Sequence, residues 1–191
     1  NNMAESMLQS RDFRSISSTA TYSFSLQQSF TIFSQTIKAL YADSRIPSEI
    51  DIIPYDSVRE YEEISSLCNQ EFGLLTHGHL KAAGKYPSKD WDYSDSAIFR
   101  HQGKLIGAWG VGKKKNTAVF DPLLIAQDRR NTWVFPFIIH TVLGRLLDAG
   151  IEGGMAQIHQ DNAKMVAIMQ RIGAKKSEVE YLYELNLEYS G

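Results

Sequence analysis

The sequence predicts an α/β fold, a mixed sheet flanked by helices with a strand and a helix added at the N-terminus. Three observations predict it. From Glu49 onward, strand-length apolar runs alternate with windows of helical apolar spacing, in the order β-α-α-β-β-β-α-β-α-β. A turn signal, His101-Gln102-Gly103, joins two of the strand runs as a hairpin. A long helical pattern then separates strand runs, the arrangement of a sheet covered by helices.

The elements follow in order. Residues 1–18 are polar and Ser-rich and read as a loose arm. Thr21 to Leu26 alternates as a short strand, and Phe30, Phe33, Ile37, Leu40 and Tyr41 recur at helical spacing until Ile46-Pro47-Ser48 breaks the pattern. Ile50 to Pro54 is a strand. Asp56 or Ser57 caps the next helix, with Glu60 placed to close a capping box on Ser57. That helix puts Val58, Tyr61, Ile64, Leu67 and Cys68 on one face and ends near Gly73. A short helix lies in Leu74 to Gly84, followed by a polar and aromatic loop from Tyr86 to Asp95.

Ser96 to Arg100 and Lys104 to Val111 are the hairpin strands. Asn116 to Ala126 is a longer strand interrupted by Asp121-Pro122, where the missing proline N–H predicts a bulge. Val134, Phe137, Ile138, Thr141, Val142, Arg145 and Leu146 stripe a helix over 131–149 that Gly150 ends. Gly154 to His159 is a strand. Asp161 or Asn162 caps a helix that runs to Gly173, and Glu178 to Leu187 is the last strand. The predicted organisation is an N-terminal extension over 1–48 and one domain over 49–191.

Composition bounds the function. The 191 residues are 43% hydrophobic and 22% charged with a formal net charge of -2, an ordinary globular balance. No basic stripe argues for nucleic acid. Lys113-Lys114-Lys115 beside Asn116 reads as a solvated hairpin turn. No apolar run approaches the ~20 residues of a membrane span, and no secretory pattern opens the chain. A single cysteine, Cys68, forms no internal disulfide and reads as a core residue, so cytoplasmic residence is the expectation. Walker, Rossmann, zinc and Gly-x-Ser-x-Gly patterns are absent from the sequence.

Several segments together resemble the GNAT acyltransferase superfamily. They are the element order from Glu49, the stretch Lys104-Leu105-Ile106-Gly107-Ala108-Trp109-Gly110, the strand, turn and helix over 124–147, and the segment 157–174 with Asn162, Met165, Met169 and Gly173. Met169-Gln170-Arg171-Ile172-Gly173-Ala174 is the most specific piece. The run Asp92-Tyr93-Ser94-Asp95-Ser96-Ala97 also looks like the corresponding region of acyl-homoserine lactone synthases and long-chain N-acyl amino acid synthases. The resemblance implies a GNAT-type sheet and an N-acyltransferase. Such an enzyme moves an acyl group from a pantetheine thioester, on coenzyme A or acyl carrier protein, to a primary amine such as an amino acid. It implies no tightly bound cofactor and no metal. A GNAT-fold binding or regulatory module without turnover is the alternative.

The resemblance also assigns residues. Backbone of Leu124 and Ile125, facing the 157–159 strand, would pair with pantetheine amides. Gln127, Arg129, Arg130, Asn131 and Asn162 would contact the donor. The family's phosphate-binding turn carries small residues where this chain has Trp133 and Phe135, side chains that read better as core or partner-facing. Coenzyme A on a shifted loop, a carrier-protein donor and a non-catalytic relative all stay open. Met169 stands where many relatives use a tyrosine acid and cannot donate a proton. His159 is the candidate base, imidazole being a common proton acceptor in catalysis, against an ordinary surface histidine. Asp121 is a candidate for base work through water, against an Asp-Pro bulge residue. His77, His79 and Trp109 are candidates to line the amine pocket. His101 and His140 read as structural.

Overall fold

A computed structural model describes residues 13–54, 63–64, 66–67 and 96–185. The chain divides into two units, Phe24–Met155 and Asn1–Ser23 with Ala156–Gly191.

In the larger unit, β2 (Ile50–Pro54), β3 (Ala97–His101), β4 (Lys104–Lys114) and β5 (Thr117–Ile125) pair in sequence order, each antiparallel to the next. The first residues of β6 (Gly153–His159) follow β5 at that edge. Gln102 and Gly103 both have positive φ, 53° and 75°, which closes the β3–β4 hairpin at the predicted turn. The lysine run reaches the next turn, where Lys115 has φ 57° and Lys113 to Asn116 are exposed.

The predicted bulge is present. Trp109 pairs with Leu123 and Val111 with Phe120, so Asp121 and Pro122 together oppose Gly110. Proline cannot donate to the ladder, and the extra residue shifts the register there. A second shift, between Phe99 and Arg100, falls at Ile106 on β4.

β4 is buried from Ile106 to Val111 on both faces, and this is why its sequence lacks clean alternation. One face packs Ile98, Ala108 and Leu124 against Ile64 and Leu67 of the 63–67 helical segment. The other meets the helix α2 (Val134–Asp148), which in turn carries the helix α1 (Leu26–Ala42). Phe99 meets the Phe137 ring at 6.4 Å, edge to face. A Cβ on Gly107 would lie 2.8 Å from Leu124 O of β5 and 2.5 Å from Ile138 Cδ1, so the β5 backbone leaves room there only for glycine.

α1 is longer than its apolar stripe suggested. Ser25 caps it by accepting from Gln28 N at 3.3 Å, and Ser29 donates to Ser25 O at 2.8 Å. The helix packs on α2. Phe30 stacks on His140 at 4.5 Å, the Ser34 hydroxyl shares a 3.1 Å hydrogen bond with His140 Nε2, and Phe33 meets Phe135 at 6.1 Å. Gly144 faces Phe30, and a Cβ there would lie 3.3 Å from the ring. Earlier α1 residues therefore meet later α2 residues, and the two helices run antiparallel.

In the smaller unit, the remainder of β6, β1 (Phe13–Ser25) and β7 (Lys175–Leu185) lie in that order. β1 is antiparallel to β7, from Phe13 opposite Leu185 to Ser23 opposite Lys175. This strand takes in part of the stretch expected to be a loose arm. Its serines and threonines have no apolar period, and pairing with a distant strand fixes their conformation. α3 (Ala163–Arg171) follows β6, with Asn162 Oδ1 accepting from Met165 N at 3.1 Å. Gly150 and Gly173, both at positive φ, end α2 and α3 as predicted.

Candidate functional site

β5 leaves its bulge with Leu123 half-buried, Leu124 and Ile125 buried and Ala126 half-buried. Ala126 N donates to Ile106 O at 3.1 Å, so the ladder with β4 runs one residue beyond the strand. The chain then makes a 3-10 turn over Gln127–Arg129, with Arg129 N donating to Ala126 O at 2.8 Å. Asn131 takes positive φ, 63°, a conformation asparagine tolerates better than most residues. This backbone reversal starts α2 at Val134, three residues later than the sequence pattern suggested.

Leu124, Ile125, Gln127, Arg129, Arg130 and Asn131 thus form one continuous stretch feeding a helix start. Gln127, Arg130 and Asn131 are exposed and Arg129 is half-buried. Arg129 Nε pairs with Asp128 Oδ2 at 3.3 Å, so a carboxylate sits among the cations of the turn.

Thr132, which carried no assignment, organises the helix start. Its hydroxyl donates to Arg129 O at 2.6 Å and accepts from Val134 N at 3.3 Å. A threonine two residues before a helix is a recognisable capping signal. The large side chains face inward or sideways. Trp133 packs edge to face on Phe137 at 5.7 Å and His101 at 6.2 Å, and Phe135 on Phe33. Burial pulls the His140 imidazole below its ordinary 6.5.

Trp109 lies beside the bulge, paired with Leu123, at 4% exposure. Its Nε1 has no acceptor among the described residues. The indole meets the Phe120 ring edge to face at 4.9 Å, and Phe120 stacks on Phe24 at 5.4 Å. The Asp121 backbone lies in the bulge itself. His77 and His79 lie outside the described residues.

In the smaller unit, β6 alternates, with Ala156 and Ile158 buried and Gln157 and His159 exposed. His159 O accepts from Asn162 N at 3.0 Å, which brings His159 next to the α3 cap. Met169, on α3, is 4% exposed. Among the described residues no group of three His, Cys, Asp or Glu side chains could hold a metal, and no helix is long and apolar enough to cross a membrane.

Solved structures share this arrangement. A GCN5-related N-acetyltransferase from Sphaerobacter thermophilus superposes with a TM-score of 0.61 at 9% identity, over 96% of this chain and 56% of its own. A tandem GNAT protein from the clavulanic acid biosynthesis pathway gives 0.58 at 12% identity, over 96% and 58%. The glucosamine N-acetyltransferase region of a fungal multi-domain GH3 β-N-acetylglucosaminidase gives 0.63 at 14%, over 95% and 22%. The chain has the GNAT fold. It spans little more than half the length of the first two proteins. No protein-family model matches the sequence, and no curated protein matches it.

Proposed function

We propose that this chain is an N-acyltransferase that moves an acyl group from a pantetheine thioester to a primary amine, such as an amino acid, by direct attack. The observation that carries the reading is the bulged β5 strand, which delivers Leu124 and Ile125 into an exposed, cation-bearing turn and a helix start within a GNAT fold. On this reading Gln127, Arg129, Arg130, Asn131 and Asn162 are the candidate residues for the donor, and Trp109, His77 and His79 those for the amine. The amine lone pair attacks the thioester carbonyl carbon. The tetrahedral adduct collapses as the C–S bond breaks, and the electron pair leaves on sulfur. The nitrogen proton passes to a base, for which His159 and Asp121 are the two candidates, and then on to solvent or the thiolate. The products are an amide and a free thiol. Positioning and backbone N–H groups supply the remaining stabilisation.

The test is thiol release over a panel of acyl donors and primary amines. The His159→Gln variant should lose about 100-fold or more in kcat, in the range for a general base, with thermal stability unchanged. Wild-type protein that releases no thiol with any pair would end the proposal. Buried Met169, which offers no acid, favours a second reading, a binding module that keeps the fold without turnover. Retained donor binding with no thiol release selects it.

A further inference from the structure

Buried polar side chains in the larger unit are matched. Ser29 donates to Ser25 O at 2.8 Å, and Ser96 accepts from Val111 N at 3.1 Å. Trp109 is the exception. It is 4% exposed, and among the described residues its Nε1 is the only buried side-chain nitrogen or oxygen without a hydrogen-bond partner. The Phe120 ring, edge to face with the indole at 4.9 Å, is a far weaker acceptor than an oxygen. A tryptophan N–H can only donate, and a buried donor without an acceptor costs folding free energy. Such groups are rare enough in native structures to call for a reason.

The neighbours say what kind of acceptor would complete the bond. Trp109 stands between Ala97 of β3 and Leu123 of β5, on a row that continues through Phe120 and Phe24 to Gly154. A Cβ on Gly154 would lie 2.5 Å from Phe24 Cε2 and 2.7 Å from Phe120 Cε2, so both rings lie against the bare β6 backbone. These neighbours are all apolar. A carboxylate among them would be stranded, whereas an uncharged oxygen asks for one N–H and no cation. Leu123 is also where β5 leaves its bulge and enters the Leu124–Ile125 stretch proposed to pair with the pantetheine arm. Leu123 and Phe120 are both half-buried, which puts the surface one side chain away from the indole.

We infer that Trp109 is a specificity-determining residue of the proposed reaction, its Nε1–H donating to an uncharged carbonyl or hydroxyl oxygen of a bound substrate. This deepens the acyltransferase reading and rests on it. The oxygen belongs to the acyl donor or to the amine, which present the same acceptor chemistry. The carboxylate of an amino acid is not its partner. A substrate that brings the oxygen relieves the stranded donor, and one without it leaves the donor unpaired, so the site selects between them.

The experiment reads the indole N–H by nuclear magnetic resonance of the full chain, isotopically labelled at the indole nitrogens, with Trp109→Phe identifying the signal. The Trp109 proton should lie upfield in the free chain, as an unbonded donor does, and move downfield when a substrate binds. The probes are the octanoyl thioester of 4′-phosphopantetheine and a panel of amino acid amides. A downfield shift with the thioester assigns the oxygen to the donor, and one with an amide assigns it to the amine; either supports the inference. Benzothienylalanine at position 109 keeps the ring volume and removes the N–H. It should leave Tm unchanged or raised and weaken the shifting probe by about fivefold or more. A downfield signal in the free chain, or a lower Tm with benzothienylalanine, would mean that a buried water already holds the donor, and would overturn the inference. Binding that moves the backbone amides of 127–131 and leaves the Trp109 signal in place would overturn it too, as would binding of neither probe. Thiol release decides the acyltransferase reading separately: release at wild-type kcat/KM from the benzothienylalanine chain ends this inference and leaves acyl transfer standing.

Discussion

At the start of α3, Asn162 reaches over its own helix and accepts from Met165 N, and Ala163 and Lys164 after it are exposed. At the start of α2, Trp133 stands at the cap position without a side-chain bond, Thr132 substitutes from one residue earlier, and aromatic rings pack on both sides. The first start is held locally, by one polar side chain. The second is held by tertiary packing together with the Thr132 hydroxyl. The difference teaches that a helix start can be fixed by one local cap or by rings packed from other elements.

The largest test of that contrast is Trp133→Ala. The indole bridges Phe137 and the His101 end of the β3–β4 hairpin, and its removal should cost about 2–3 kcal/mol in chemical denaturation, below the full range for a buried tryptophan because the ring is half-buried. A loss under about 0.5 kcal/mol, the level of an ordinary surface substitution, would mean the start of α2 does not depend on packing.

Asn162→Ala should cost about 1 kcal/mol, the ordinary worth of a cap. Thr132→Ala should cost a similar amount at α2, since its hydroxyl holds both Arg129 O and Val134 N. Equal losses would show that both helices use caps and that α2 adds aromatic packing to its cap. A Thr132→Ala loss near zero would place the whole burden on the rings and sharpen the contrast.

The same contrast explains what was legible in the sequence. Local devices were readable: the Asn162 cap, the glycine stops at 150 and 173, the Gln102-Gly103 turn and the proline bulge at Pro122. Each is written in residues a few positions apart. β1 was only partly readable, because Ser15, Ser17, Ser18 and Thr19 carry no apolar period and become a strand by pairing with β7 at the other end of the chain. At the candidate site, the family resemblance pointed to the stretch from Leu124 to Asn131, and the bulky residues Trp133 and Phe135 were visible in the sequence. It did not reveal that Thr132 occupies one N–H of the helix start, because that depends on the reversal at Asn131. The packing of α1 on α2 was equally hidden, since two apolar stripes do not name each other.

His140 gives the smallest expected effect and the most selective one. It lies in the α1–α2 contact, stacked on Phe30 and bonded to Ser34, and burial lowers its pKa below the ordinary 6.5. The unfolded chain therefore takes up this proton at higher pH than the folded chain does. Stability is fully present above the unfolded value and is lost as pH falls through the window between 6.5 and the lowered folded value. Hydrogen exchange should show α2 amides losing protection across this window. His140→Gln should flatten that response, because glutamine keeps a polar partner for Ser34 and does not titrate. α3 carries no histidine, so its amides should give the same profile in both proteins. If the α2 response survives in His140→Gln, the proton is taken up elsewhere, and the α1 contact is not what makes this helix sensitive to acid.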